Sequence, residues 1–114
     1  MDSRLNDYRA LIKQLLARYA DLFNRQPDPN EETVVVFDEE HDHYFLHTIG
    51  WKGTKRIWNT TLYVRLRNNK IWIEIDWLED GFATDLLEAG VPKEDIVLAF
   101  HHPEIRPYTE FAVA

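Results

Sequence analysis

The chain contains no cysteine, a single serine (Ser3) and only four glycines in 114 residues. Without cysteine there is no disulfide framework, no thiolate metal site and no cysteine nucleophile. One serine at the very start leaves no Gly-x-Ser-x-Gly elbow, and four scattered glycines do not build a phosphate-cradling loop. No apolar run approaches the roughly 20 residues that a membrane-spanning helix needs. The opening Met1-Asp2-Ser3 leads straight into a charged amphipathic stretch and does not read as a secretory leader. The expected location is therefore the cytoplasm, with no membrane partner. Positive charge is also short, with 13 Lys and Arg against 20 Asp and Glu. The resulting net charge of −7 repels phosphate and argues against tight binding of duplex DNA by the protein alone.

What is present describes one globular domain over residues 1–114, with 45% hydrophobic and 29% charged residues. A chain of this length buries roughly two-thirds of its unfolded surface, enough for a core without staples. Charge comes in blocks. Residues 28–47 carry seven acids and no base, residues 52–70 six bases and no acid, and residues 74–95 eight acids and Lys93. The basic block (Lys52, Lys55, Arg56, Arg65, Arg67 and Lys70) reads either as a phosphate-binding surface or as a segment neutralised by acidic neighbours in one sheet. Cross-strand attraction favours the second.

Leu5, Tyr8, Ile12, Leu15, Tyr19 and Phe23 recur at helical spacing, and Leu11, Leu16 and Leu22 widen their stripe to a face able to cover a sheet. Asp2 or Ser3 is positioned to cap this helix, and Gln26-Pro27-Asp28-Pro29-Asn30 ends it. Four strand-like runs follow: Thr33 to Phe37, Tyr44 to Trp51, Arg56 to Arg67 and Ile71 to Trp77. Gly50 and Gly53 mark the turn after the second. Asn68-Asn69 separates the last two as a type I′ hairpin. That turn aligns Leu66 with Ile71, Val64 with Ile73 and Leu62 with Ile75 on one face. On the other it aligns Arg65 with Trp72, Tyr63 with Glu74 and Thr61 with Asp76. Asp80 is placed to cap a second helix through Phe82 to Glu88, which Gly90 terminates. Ile96 to Phe100 is an apolar run that is either buried or extended, and Pro103 and Pro107 oppose regular structure beyond it. The expected fold is α+β: an N-terminal helix packed on a four-stranded antiparallel sheet, then a second helix and an irregular C-terminal segment.

Three constellations carry possible chemistry. His41, His43 and His47 with His101 and His102 offer imidazoles for zinc, copper or nickel, but their spacings match no established ligand motif. Asp76, Glu79 and Asp80 resemble the strand-end carboxylates that hold magnesium in nucleases, although nothing else of that motif accompanies them. The simpler assignment makes Asp80 a helix cap and Glu74 a cross-strand partner. Exposed Trp and Tyr beside Arg would stack bases or anchor a protein interface, and the acidic surroundings favour the interface.

Tyr8-Arg9 in the first helix, which continues to Tyr19-Ala20, begins a recognisable pattern. Phe37-Asp38 through Asp42-His43-Tyr44 to Gly50-Trp51 and Lys70-Ile71-Trp72-Ile73 extend it. Gly90-Val91-Pro92-Lys93-Glu94-Asp95-Ile96-Val97-Leu98-Ala99-Phe100-His101 and Thr109-Glu110-Phe111-Ala112-Val113-Ala114 complete it. Together these residues resemble the XisI family, the fdxN-element excision controlling factors of cyanobacteria. The resemblance implies a non-enzymatic regulatory protein, without cofactor, required for excision of a DNA element during heterocyst differentiation. It also implies a XisH-like companion with a nuclease-like fold. It supplies no catalytic residue, so a metal-dependent nuclease or hydrolase using Asp76, Glu79 and Asp80 remains the alternative. The stretch from Asp76 to Ala83 departs from the family's usual wording, as does Asn68-Asn69, where Asp-Gly is more usual. The sequence further predicts a homo-oligomer, a dimer or tetramer, assembled through Tyr63, Arg65, Trp72 and Glu74 on the polar sheet face and through the apolar terminus at Phe111 and Val113.

Overall fold

The computed structural model describes residues 3–25 and 28–114, so Asp2 as a cap and Gln26-Pro27 as a helix stop lie outside the described residues. Helix α1 spans Ser3–Asn24 and buries Tyr8, Ile12, Leu15 and Leu16 from the expected stripe. Ser3 is its first helical residue. The strands are β1 (Glu31–Asp38), β2 (His43–Lys52), β3 (Lys55–Arg67), β4 (Lys70–Asp76) and β5 (Ile96–Leu98). Helix α2 spans Phe82–Glu88, and short 3₁₀ turns occupy Lys93–Asp95 and Arg106–Tyr108.

The sheet has five strands in the order β1-β2-β3-β4-β5 and is mixed, not the four-stranded antiparallel sheet expected from the sequence. The fifth strand is the apolar run at Ile96, which pairs parallel to β4 as Ile71↔Ile96, Trp72↔Val97 and Ile73↔Leu98. Between β4 and β5, α2 carries the chain back, so both strands run the same way, as a strand–helix–strand crossover requires. Ile96 and Val97 are fully buried there. Alternation could not reveal them, because three residues are too few to show a period. The C-terminal segment is also more ordered than expected: Ala112 bridges to Val97, and its N–H donates to the Ile96 carbonyl at 2.9 Å.

The register explains the two faces. One row of partners runs Phe37, Tyr44, Val64, Ile73, Leu98 across all five strands. The next runs Val35, Leu46, Leu62, Asp76. These rows and the α1 stripe form the core, with Phe82 and Leu86 of α2 packed beside them. The hairpin at Asn68-Asn69 forms as expected, both residues having positive φ (53° and 64°), and it fixes Leu66↔Ile71 and Val64↔Ile73. Further along, the expected pairing is overturned. A bulge leaves Glu74 unpaired, so Tyr63 faces Ile75 and Leu62 faces Asp76. The extra residue moves Ile75 out of the core face and turns Asp76 into it.

Two further local expectations change. Gly53 (φ 64°) makes the β2–β3 turn, whereas Gly50 lies within β2. A Cβ on Gly50 would stand 2.0 Å from the Asn30 carbonyl oxygen, so this glycine admits the start of β1 against β2. The N-cap position of α2 is Gly81, with no capping side chain, rather than Asp80. The first-turn donor is instead satisfied from the sheet, as described below.

Candidate functional site

Helix α1 packs on the core face of β1, β2 and β3 and leaves the opposite face of these strands uncovered. Across that face the register lines up Val36, Phe45, Tyr63 and Ile75, one from each of four adjacent strands. The Phe45 and Tyr63 rings stack at 4.3 Å between centroids, and the His47 ring stacks on Phe45 at 5.2 Å. Tyr63 Oη and His43 Nδ1 are 2.7 Å apart, and Thr60 Oγ1 and His47 Nδ1 are 2.9 Å apart. Each imidazole is thereby tied to its own sheet. Burial pushes the Tyr63 phenol above its ordinary pKa, and the nearby Arg65 charge pulls the other way. Beyond this row the face continues to Ile49 opposite Trp58, and the Trp58 side chain is largely exposed (73%). At its far end the Arg56 guanidinium sits over the Trp51 ring, 5.0 Å from the centroid.

The sequence-predicted interface residues divide into two groups. Tyr63, Arg65 and Glu74 do lie on this open face, Arg65 Nη1 approaching Glu74 Oε2 at 3.8 Å. Arg65 Nε is buried with no acceptor among the described residues. Trp72, expected to be exposed beside Arg65, is instead buried within its own chain. Its Nε1–H donates to the Arg67 carbonyl at 2.9 Å, and the guanidiniums of Arg67 and Arg106 stand 5.0 and 5.6 Å from its ring centroid. Arg106 also donates to the carbonyls of Ala99, His101 and Val113, tying the last turns of the chain together above Trp72. Phe111 is half-buried against the core, whereas Val113 is exposed. The apolar terminus therefore docks first on its own sheet.

The carboxylates and histidines do not converge. Asp76 uses both oxygens as acceptors, Oδ1 from the Leu78 N–H at 3.1 Å and Oδ2 from the Phe82 N–H at 2.7 Å. It is the cap of α2 that Asp80 was expected to be. Glu79 and Asp80 are exposed, and only the Asp80 backbone carbonyl is engaged, by Thr84 Oγ1 at 2.9 Å. His41 Nδ1 lies 3.0 Å from Asp38 Oδ2, His101 packs against Phe100, and His102 Nδ1 accepts the Glu104 N–H. Among the described residues no three His, Asp or Glu side chains come together to hold a metal ion. The basic block also disperses. Lys52, Lys55 and Arg56 sit at the β2–β3 turn, Arg67 and Lys70 at the β3–β4 turn, at opposite ends of the long β3.

Sequence reasoning missed Val36, Phe45 and Ile75, the other members of the aromatic row, and Arg106. For Val36 and Phe45 the signal was there: Tyr44 and Leu46 alternate with Phe45 and His47, so both faces of β2 are ring-bearing. For Ile75 no local signal existed, since a bulge decides its side.

The model of the family described as XisI protein matches residues 1–113. A XisI-like protein from Anabaena variabilis ATCC 29413 shares 34% identity over 96% of this chain and 99% of its own, with a TM-score of 0.89. The fdxN element excision controlling factor XisI of the same organism shares 40% identity over 97% and 99%, with a TM-score of 0.85. No curated protein sequence matches the chain.

Proposed function

The chain belongs to the XisI family, and from that premise we propose that it is a regulatory factor controlling excision of a DNA element through contact with a XisH-like, nuclease-fold partner. It does not itself cut DNA. The fdxN element excision controlling factor XisI, similar over nearly the full length of both chains, supports the excision role. The state of Asp76 carries the non-enzymatic part. A magnesium site needs several oxygen ligands converging on one ion, whereas Asp76 turns its two oxygens to the Leu78 and Phe82 N–H groups and, among the described residues, no three His, Asp or Glu side chains come together around it. The uncovered aromatic face and the exposed side chains of Trp77, Phe100 and Tyr108 offer surface for protein contacts instead.

Two measurements on the purified protein test this. Duplex DNA carrying an excisable element, incubated with the protein and magnesium, remains intact. Co-expression with a nuclease-fold XisH-like protein yields a complex that survives size exclusion. Magnesium-dependent cleavage abolished by Asp76→Asn overturns the proposal in favour of a nuclease using Asp76, Glu79 and Asp80. Failure of the two proteins to co-purify at micromolar concentration overturns the partner.

A further inference from the structure

We propose that the uncovered face of β1–β4 is a self-association surface on which a second copy of this chain packs sheet to sheet about a twofold axis. The Val36–Phe45–Tyr63–Ile75 row crosses four strands without a charged residue, and Ile49 and Trp58 continue it toward the β2–β3 turn. Val36 is 46% exposed and Trp58 73% exposed, while Phe45 and Tyr63 stack on each other and the Tyr63 hydroxyl is hydrogen-bonded to His43. Aromatic side chains fixed in this way lose little conformational freedom when they are covered.

Charge selects the occupant. The chain carries −7, so two copies repel one another unless the surface they share is itself free of net acid. Most of the acid lies elsewhere, on the segment before β2 and around α2. By the strand register the open face carries Glu32, Asp38 and Glu74 against Arg56, Arg65 and Arg67, with Arg65 Nη1 approaching Glu74 Oε2 at 3.8 Å, so two copies meet there with little repulsion. A strongly charged partner would find nothing complementary on it. Size agrees as well. Strands β1–β3 at about 4.8 Å spacing and the length of β2 at about 3.3 Å per residue give roughly 480 Å² in projection, and the Glu74–Ile75 end of β4 extends it, Arg106 covering the face only at Trp72. With side-chain relief added, that reaches the lower range of specific interfaces, about 600 Å² per partner.

The competing mode of self-association, edge to edge, is blocked at β1. The Asn24 side chain occupies the outer backbone of this edge strand, Nδ2 donating to the Thr33 carbonyl and Oδ1 accepting the Thr33 N–H, both at 2.8 Å. Glu31, Glu32 and Asp38 charge the two ends of the same strand. Assembly is left to the face.

Sedimentation and light scattering on the full chain between about 1 and 100 µM read the outcome. The expected wild-type mass is twice the 13.6 kDa of one chain. Phe45→Asp, which puts an unpaired charge in the centre of the face, is expected to raise the dimer dissociation constant by about two orders of magnitude. Val36→Arg makes the same test at an exposed position that the fold does not need, in case Phe45→Asp unfolds. Tyr108→Ala, on the C-terminal segment, is expected to stay dimeric. A wild-type monomer at 100 µM overturns the proposal, as does a dimer unaffected by Val36→Arg. A monomer that forms a one-to-one complex with a XisH-like protein, lost in Val36→Arg, would assign the face to that partner instead.

Discussion

Phenol and guanidinium groups of α1 meet carboxylates at several of its contacts with the rest of the chain. Arg9 grips Asp42 with two hydrogen bonds, Nε to Oδ1 at 2.8 Å and Nη2 to Oδ2 at 2.9 Å, and Tyr44 Oη donates to the same carboxylate. Asp42 itself has positive φ (59°), a conformation that Asp tolerates in a turn. The Arg9 hydrogen bonds hold the Asp42 carboxyl below the usual carboxylate range, against its partial burial. A depressed folded-state pKa contributes stability that is present above the unfolded value, near pH 4, and lost as pH falls through the folded one. Acid unfolding of wild type should therefore steepen below about pH 4, and Asp42→Asn should flatten that part of the profile. At pH 7 the substitution should cost about 1–2 kcal/mol, as read by urea melts. The alkaline limb has the opposite sign. Burial, then the hydrogen bond to a carboxylate, raises the phenol pKa of both Tyr19 (with Asp85) and Tyr44 (with Asp42). Their contribution is complete below the unfolded tyrosine value, near pH 10, and is lost as pH rises beyond it. Tyr19→Phe, which leaves the Asp42 carboxylate and its partners untouched, should shift that alkaline midpoint while leaving the acid one nearly in place.

At the scale of elements, the β4 bulge and the α2 cap are one device. The unpaired Glu74 turns Asp76 toward the helix start, where its oxygens satisfy Leu78 and Phe82 N–H groups. Asp76→Ala should cost about 1–2 kcal/mol and loosen α2 before the sheet, which amide exchange at Phe82 to Leu86 would report. Gly50→Ala should be more damaging, by more than about 2 kcal/mol in urea, because the new Cβ would press on the Asn30–Glu31 backbone rather than on a flexible side chain. These two sites mark the limit of what the sequence discloses. The helical stripe from Leu5 to Phe23, the four long strands and the Asn68-Asn69 turn follow from local periodicity and turn chemistry, and each lies within a residue or two of its expected bounds. The bulge, the role of Gly50 and β5 depend on partners distant in the chain, which periodicity does not encode. The burial of Trp72 has the same origin: Arg106 and the terminal segment cover it, and only tertiary structure brings them there.

The whole molecule is longer than a chain of this size usually is. Its radius of gyration is 15.0 Å with extents of 43 × 32 × 25 Å, against about 13 Å expected from length. The 13-residue strand β3, paired along β2, accounts for the long axis. It also separates the two halves of the basic block, so no single surface gathers enough positive charge to offset −7 overall. Fluorescence anisotropy with a duplex at physiological salt should show binding no tighter than micromolar, and sub-micromolar, salt-sensitive binding would contradict that picture. The ties of α1 also order events in time. Tyr8 donates to Asp95, 87 residues further on, and Tyr19 to Asp85, 66 residues further on. At ribosomal rates of about 5–20 residues per second, roughly 4 to 17 s pass between synthesis of Tyr8 and of Asp95. Throughout that interval α1 holds an apolar face without its anchor at Asp95, so a helix that forms early by local periodicity waits, exposed, for a lock made 87 residues later.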